Sequence, residues 1–486
     1  MVSITPIIDK EIVDFLKEED LIFSLVNQFK RPIHIGFPQN LYKNVNIFKD
    51  CFDQNNFKGK IFLAHKATKN QAFIKEALKL GINIDVSSKA ELISALSCGF
   101  VGDQIEATGP KNNEFLQLLL LHNCLISLDS ESELNRVLEI RKYLNLSHKT
   151  NILLRINSLN TISKKINIKK SKFGVCIDNL ECMYVRFAEL NSQINFQGLH
   201  FHQYGYDIET KIDFLNTIIQ KLELAYQYNL SPSIINFGGT QRTKTIVDYS
   251  QWSDFIVKIE EDILNNTDSS YVWGNSKYGL ELNSLGRIKN KETALSKFYN
   301  STLSEDLKNM FLGEFYQNGN SIASVLAENI FEIMFEPGHS LLQQCGISLC
   351  EVIETKSSGC GQNLIVMDAN SYNLSLVKMS EYNSNTILIK KNKLAVNTDY
   401  KAFLVGNICQ EDDFLSPRIH YFNQLPETGD VIVFTNTAPY LAGFEDASPM
   451  MHPLSKQLVA YKNNNLWRIT NPENYNPYIT QQSHDL

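Results

Sequence analysis

The chain lacks the features that mark several large classes of protein. It has no dense block of lysine and arginine, and its formal net charge is -7, so nucleic acid is not a favoured partner. Its nine cysteines are scattered without CxxC pairs, which indicates reduced thiols rather than a disulfide framework or structural zinc. No apolar run reaches membrane-spanning length, and the first residues do not resemble a signal peptide. These absences predict a soluble cytoplasmic protein that has no membrane partner.

Apolar runs of β-type composition alternate with segments of helical period over most of the 486 residues. The runs lie at 61–65, 82–86, 104–108, 125–128, 151–156, 197–202, 233–237 and 331–335. Segments such as "NQAFIKEALKL" and "KAELISALSCG" lie between them and predict helices. Strands that alternate with helices predict an α/β protein with a parallel sheet, and eight of them favour a closed (β/α)8 barrel over an open doubly wound sheet.

The pattern changes near residue 345. Short strands separated by turn residues follow, such as "GISLCEVIETK", "LIVMDAN" and "GDVIVFTNTAPY". We therefore expect a barrel over residues 30–344 and a mainly β domain, sandwich-like or Greek-key-like, over residues 345–486. Residues 1–29 are a candidate addition to the β domain. The Asn/Ser/Lys-rich stretch within 250–330 predicts an elaborated loop or small insertion.

Chemically active residues follow the predicted barrel strands at the ends where barrel enzymes carry out their chemistry. They are Lys66 in "IFLAHK", Arg155 in "LLRIN", His200 and His202 in "LHFHQ", Gly238 and Gly239 in "NFGGT", and Glu336 in "FEPGH". Each has an ordinary explanation, because a strand-end lysine often only extends its ammonium to water and a glycine pair is usually a turn.

The joint occurrence of these residues has one economical explanation, the binding of pyridoxal 5'-phosphate. A lysine can form a Schiff base, glycines can approach a phosphate, an imidazole can stack on the ring, and a carboxylate can keep the pyridine nitrogen protonated. Paired histidines also bind metals, but His200 and His202 have no obvious third ligand nearby in the sequence, so no metal is expected.

The order and the amino-acid sequences of these motifs resemble those of the fold-type III, or alanine-racemase-like, pyridoxal-phosphate decarboxylases. This family includes diaminopimelate, ornithine and arginine decarboxylases. The resemblance covers roughly residues 30 to 450 and consists of many weak motifs in the right order. Besides the strand ends, it includes "GINIDVSSKAELISALSCGF", "SKFGV", "GNICQEDDFL" and "VIVFTNTAPYLAGF".

The resemblance implies a role for individual residues. Three would be catalytic: Lys66 as the Schiff-base lysine, His202 stacked on the cofactor ring, and Cys409 as a general acid that reaches the partner's cofactor across a dimer interface. The residues that would bind the cofactor are Lys66, Asp85, Arg155, His202, Gly238, Gly239, Thr240, Glu336 and Tyr440. The implied activity is α-decarboxylation by a homodimer with shared active sites.

Departures from the family pattern concern the substrate. The family's Glu-Pro-Gly-Arg ends here in His339, which would be charged only below about neutral pH. Gln410 stands where the family has an acidic residue that meets the substrate's distal amine, and Glu411 follows it. "HQYGY" replaces the usual Gly-Ser after the stacking histidine. These three sites are therefore candidates for substrate recognition or for altered phosphate binding.

Several functions stay open at this point. The substrate could be diaminopimelate-like, a basic amino acid, or a carboxylated intermediate of siderophore or other secondary metabolism, and the departures favour the last. A racemase or epimerase on the same barrel, and a catalytically impaired homologue, are the alternatives.

Overall fold

The computed structural model describes residues 4–157, 171–202, 207–239, 241–267, 270–273, 277–359, 361–374, 385–392, 398–443, 445 and 447–479. Thr240, a predicted cofactor-binding residue, and the changed "YGY" motif at 204–206 lie outside the described residues. The chain forms two compact units. One contains residues 41–242 and 302–341, and the other contains residues 1–40, 243–301 and 342–486.

The β-strands of the described residues belong to more than one sheet and are numbered in chain order. They are β1 (Ile33–Gly36), β2 (Lys58–Ala64), β3 (Asn83–Val86), β4 (Ile105–Ala107), β5 (Leu125–Leu128), β6 (Thr150–Ile156), β7 (Ile194–Phe201), β8 (Ile234–Asn236), β9 (Glu281–Leu282), β10 (Ile288–Lys289), β11 (Glu332–Phe335), β12 (Gly346–Ser357), β13 (Asn363–Met367), β14 (Thr386–Ile389), β15 (Tyr400–Val405), β16 (His420–Phe422), β17 (Val431–Thr435), β18 (Lys456–Asn463) and β19 (Leu466–Thr470).

The α-helices are numbered in the same way. They are α1 (Lys10–Phe15), α2 (Glu19–Phe29), α3 (Leu41–Gln54), α4 (Gln71–Lys79), α5 (Lys89–Ser97), α6 (Asn113–Leu121), α7 (Glu131–Tyr143), α8 (Leu180–Glu189), α9 (Ile208–Leu224), α10 (Tyr249–Leu264), α11 (Lys291–Leu295), α12 (Leu303–Leu312), α13 (Ile322–Glu328) and α14 (His339–Leu342). In the part of the chain that the structure describes, no helix combines the length and the apolar character needed to cross a bilayer.

Eight parallel strands close into a barrel in the order β11-β2-β3-β4-β5-β6-β7-β8. Each of the eight predicted runs overlaps one of these strands, so the predicted closed barrel is confirmed and the open doubly wound sheet is excluded. Buried side chains from five of the strands pack into one apolar cluster, formed by Phe62, Leu125, Leu153, Ile234 and Met334. This cluster forms part of the core of the barrel.

Polar N-cap residues end the short turns between barrel strands and the helices that follow them. Asn70 accepts a hydrogen bond from the Ala72 backbone N–H before α4, and Ser88 accepts one from the Glu91 N–H before α5. The Glu91 carboxylate in turn accepts from the Ser87 N–H at 2.6 Å. Because such caps satisfy the first N–H groups of a helix, they fix where the chain leaves the barrel mouth.

The second unit is built around a mixed sheet. Its central path runs β16-β15-β13-β12-β1-β18-β19, with β17 paired to both β12 and β14. β1 pairs antiparallel with β12 and parallel with β18, and helices α1 and α2 pack on the same apolar cluster as these strands. The sequence-based boundary at residue 30 placed β1 with the barrel, whereas these pairings place it in the mixed sheet.

Residues 243–301 also belong to this second unit. Helix α10 buries one face, formed by Trp252, Phe255, Ile256, Ile259 and Ile263, in a separate apolar cluster. We expected an elaborated loop or small insertion within 250–330, yet the spacing of these five residues is that of an amphipathic helix. The Asn-rich and Ser-rich surroundings concealed that period.

Candidate active site

Lys66 lies at the C-terminal end of the first barrel strand. β2 ends at Ala64, and a single 3-10 turn over His65–Ala67 carries the lysine. Its ammonium lies 3.9 Å from Oδ2 of Asp85, whose side chain is fully buried in β3. The hydroxyl of Thr108 donates to the other Asp85 oxygen at 2.7 Å. A fixed carboxylate therefore holds the amine of this lysine at the barrel mouth.

Two buried glutamates share one asparagine inside the barrel. Nδ2 of Asn236, in β8, lies 2.8 and 2.9 Å from the two carboxylate oxygens of Glu106 and 2.7 Å from Oε1 of Glu336. The Asn236 side-chain oxygen accepts from the Gly238 backbone N–H at 2.8 Å, so its amide nitrogen must face the carboxyl groups. Because β4 and β8 are not neighbours, this bridge crosses the barrel interior.

Burial controls the ionisation of both glutamates. It raises the pKa of Glu336 to about 7, an effect to which the charge of Asp85 adds and which Lys66 and Arg155 oppose. Burial also raises the pKa of Glu106 well above its usual value, and the neighbouring charge of Glu336 raises it further. Two carboxyl groups so close in a dry interior do not both ionise at neutral pH.

His200 lies near the end of β7, and His202 directly follows the strand. Nδ1 of His200 lies 2.6 Å from the Ser127 hydroxyl, and its Nε2 lies 3.3 Å from Oε1 of Glu336. Nδ1 of His202 accepts from the Gly239 backbone N–H at 3.2 Å. Burial lowers the pKa of His202 to about 3 and that of His200 well below its usual range. Both imidazoles are therefore neutral at physiological pH.

The glycine pair after β8 is required by close contacts. Gly238 has φ of +66°, and a Cβ there would lie 2.5 Å from Nδ1 of His202. A Cβ on Gly239 would overlap the backbone oxygen of Glu336, and the Glu336 N–H donates to the Gly238 oxygen at 2.9 Å. The two loops can pack together only without side chains at these positions, and their backbone N–H groups donate to the Asn236 side-chain oxygen and to Nδ1 of His202.

Arg155 is buried at the end of β6. Its guanidinium carbon lies 4.6 Å from the centre of the Phe173 ring, a cation–π arrangement within the predicted "SKFGV" motif. Gly174 has φ of +82°, and a Cβ there would lie 2.9 Å from the Arg155 backbone oxygen. The motif therefore packs directly on the strand that carries the arginine.

His339 begins α14, three residues after Glu336. Burial, and then the positive charge of Arg242, lowers the pKa of His339 to about 4. His339 therefore gains charge only well below neutral pH, because a buried imidazole beside a guanidinium resists protonation. Arg242 is the permanent cation next to this position.

The remaining predicted residues belong to the other compact unit. Cys409, Gln410 and Glu411 are exposed on a loop after β15, and Tyr440 is half-buried with φ of +64°. The buried carboxylate of Asp413 organises that loop by accepting from the Ile408 N–H at 3.1 Å and the Ser371 N–H at 2.8 Å.

Three polar residues of the barrel interior escaped the sequence analysis. Glu106 and Ser127 lie within strands, and Asn236 is the last residue of β8; only barrel closure brings these three to Glu336 and His200. A signal was present for Glu106, since it interrupts the apolar run "IEA" as Arg155 interrupts "LLRI". A charged residue in a buried strand requires a partner.

Among the described residues, one group of three side chains has the spacing of metal ligands. Atoms of Glu106, His200 and Glu336 lie within 4.8 Å of one another. The Asn236 amide nitrogen, a donor that cannot ligate a cation, contacts both carboxyl groups. This arrangement favours a shared proton over a metal ion.

Residues 39–239 match the family described as pyridoxal-dependent decarboxylase, pyridoxal binding domain. The chain is 27% identical over 459 residues to a protein from Sinorhizobium fredii named uncharacterized protein y4yA, with 93% of each chain covered. It is 23% identical to diaminopimelate decarboxylase of Bacillus methanolicus, over 80% of this chain and 79% of that protein. Its fold is similar to that of diaminopimelate decarboxylase from M. jannaschii in complex with L-lysine, with a TM-score of 0.66, 19% identity, and 92% and 90% of the two chains covered.

The fold and the family match define an enzyme of the pyridoxal-phosphate-dependent barrel class, with a buried acid, a strand-end lysine and a glycine cradle at one end of the barrel. Residues 39–239 therefore resemble the pyridoxal-binding domain of the pyridoxal-dependent decarboxylases, and the chain is a pyridoxal-phosphate-dependent carboxy-lyase. Its cofactor is pyridoxal 5'-phosphate.

Proposed function

We propose that this chain removes the α-carboxyl group of an amino-acid-type substrate and releases carbon dioxide and an amine. The observation that carries the proposal is the convergence at one barrel end of Lys66, His202, the Gly238–Gly239 turn and Glu336. Each group matches one part of the cofactor: the amine its aldehyde, the imidazole its ring face, the glycines its phosphate and the carboxyl its pyridine nitrogen.

Bound pyridoxal phosphate supplies the conjugated ring that accepts the electron pair left by the departing carboxylate. The protein's part is to hold that ring and to control protons. Glu336, which is buried inside the barrel, would hold the pyridine nitrogen with its carboxylate, and a single charge has a large effect in such an interior. The neutral His202 presents an uncharged ring face, and the Gly239 N–H fixes its orientation.

We further propose a homodimer in which Cys409 serves the partner's site as general acid. The support is that Cys409 is exposed, on a loop that the buried Asp413 holds in place. A thiol there could donate a proton to the substrate carbon after carbon dioxide has left. Gln410 and Glu411 are the neighbouring side chains that would meet the distal part of the substrate.

For the substrate, we place a carboxylated intermediate of siderophore or other secondary metabolism ahead of a simple diamine precursor. Gln410 is uncharged where the family has an acid that meets a distal amine, so selection for a second ammonium group is weakened. Arg242, beside the neutral His339, provides a permanent cation for a carboxylate or a phosphate.

The test is a carbon dioxide release assay on the holoenzyme with diaminopimelate, basic amino acids and carboxylated amino acids, with Lys66→Ala as the inactive control. Product analysis in deuterated water separates the alternatives. A decarboxylase forms an amine with deuterium in place of the carboxyl group, whereas a racemase returns the amino acid with deuterium at the α-carbon. Racemised substrate without carbon dioxide would overturn the proposal.

A further inference from the structure

The Glu106 side chain lies in the barrel interior and has no role in the scheme above. It is completely buried, and both of its oxygens contact the Asn236 amide nitrogen. The same nitrogen contacts Oε1 of Glu336. An amide nitrogen carries only two hydrogens, so it cannot serve all three oxygens equally well. A proton on one carboxyl group would supply the hydrogen bond that the amide lacks.

We propose that Glu106 is a positioning residue, the protonated member of a carboxyl pair with Glu336, and that the pair carries a single negative charge located on Glu336. The inference rests on the proposed function of the same site. Its physical basis is that two unit charges at this separation in a dry interior repel strongly, and that Lys66 and Arg155 both offset a charge on Glu336, whereas Lys111 offsets a charge on Glu106 only weakly.

The charged and titratable groups around the pair make the two carboxyl groups unequal. From the other elements they are Lys66 after β2, Asp85 in β3, Lys111 after β4, Arg155 in β6 and His200 in β7. Lys66 and Arg155 favour the ionised form of Glu336, whereas Asp85 disfavours ionisation of both acids. Lys111 favours ionisation of Glu106 only as the weakest influence, because its ammonium is engaged by Glu133 at 2.8 Å.

Asn236 would determine which carboxyl group is available to the cofactor. Its oxygen is held by the Gly238 N–H, in the turn that would bind the phosphate, and its nitrogen is held between the two acids. A neutral Glu106 therefore aligns the asparagine without competing for the cation of the cofactor ring. An ionised Glu106 would compete for that cation and raise the pKa of Glu336 further.

The first test needs no cofactor. Infrared spectra of the apoprotein at neutral pH are compared between wild type and Glu106→Gln, with Glu76→Gln as the matched control because Glu76 is also buried but is paired with Lys79 at 3.2 Å. We expect the difference spectrum of Glu106→Gln, and not that of Glu76→Gln, to contain the carbonyl band of a neutral carboxylic acid. A Glu106→Gln difference spectrum that shows only a lost carboxylate would overturn the proposal.

The second test measures pyridoxal phosphate affinity by fluorescence titration. Glutamine imitates a neutral acid, so we expect Glu106→Gln to bind within about threefold of wild type. We expect Glu106→Leu, which removes two of the three oxygens that the Asn236 amide nitrogen contacts, to bind at least roughly tenfold more weakly. Equal affinities of the two variants, or a tenfold loss in Glu106→Gln, would contradict the inference. If wild type itself fails to bind the cofactor, the proposed function fails, while the infrared result still decides the state of Glu106.

Discussion

At the residue scale, the reactivity of this site depends on how one buried carboxyl group responds to pH. Burial and Asp85 disfavour the charged form of Glu336, and Lys66 and Arg155 favour it, which leaves its pKa at about 7 against a usual value of 4.5. Between these two pH values the folded protein holds a proton that the unfolded chain has released. Its stability therefore falls as the pH rises through this window.

We expect Glu336→Gln to reduce that loss of stability in the apoprotein. Each pKa unit corresponds to about 1.4 kcal/mol, so between about pH 5 and pH 8 the variant should lose on the order of 2 kcal/mol less than wild type. Urea unfolding at the two pH values measures the difference, with Glu76→Gln as the control. Identical losses in wild type and Glu336→Gln would show that Glu336 has an ordinary pKa.

At the scale of elements, the site depends on two loops that touch without side chains between them. The turn after β8 packs against the turn after β11 at Gly239 and Glu336, where even a methyl group would overlap backbone. Because backbone cannot move aside as a flexible side chain can, an added Cβ must displace one of the loops.

We expect Gly239→Ala to weaken pyridoxal phosphate binding by at least roughly tenfold, since it moves the phosphate-facing turn and Glu336 together. Gly359→Ala is the matched control, because a Cβ at Gly359 would meet nothing within 4 Å. Cofactor titration by absorbance measures both variants. Wild-type affinity in Gly239→Ala would mean that the two loops move apart at little cost, and that cofactor binding does not depend on their close contact.

The elements were more predictable than the contacts among them. All eight barrel strands could be located because buried parallel strands are apolar runs between amphipathic helices. Lys66, His202 and Glu336 could be located because strand ends converge. Glu106 and Asn236 could not be paired, since 130 residues separate them and only the barrel register brings them together. β18, like β1, joins its sheet by long-range pairing that local pattern does not encode.

At the scale of the whole molecule, the proposal requires two chains. Lys66 belongs to the barrel unit, and Cys409 is exposed on the other unit, whose loop would serve the partner's cofactor. A closed dimer with twofold symmetry would make two such shared sites.

Mixing Lys66→Ala with Cys409→Ala subunits should therefore restore activity. With random exchange, half of the dimers are mixed and each has one intact site, so we expect roughly a quarter of wild-type activity. Carbon dioxide release after co-refolding measures it, and each variant alone is the control. A mixture no more active than its components, although native mass spectrometry shows mixed dimers, would contradict shared sites.

The central claim is that Lys66 holds the cofactor. The most direct measurement is borohydride reduction of the protein loaded with pyridoxal phosphate, followed by peptide mass mapping. We expect the phosphopyridoxyl group on the peptide that contains Lys66, and no label in Lys66→Ala. Label on another lysine, or an unmodified Lys66 in protein that has bound the cofactor, would contradict the account.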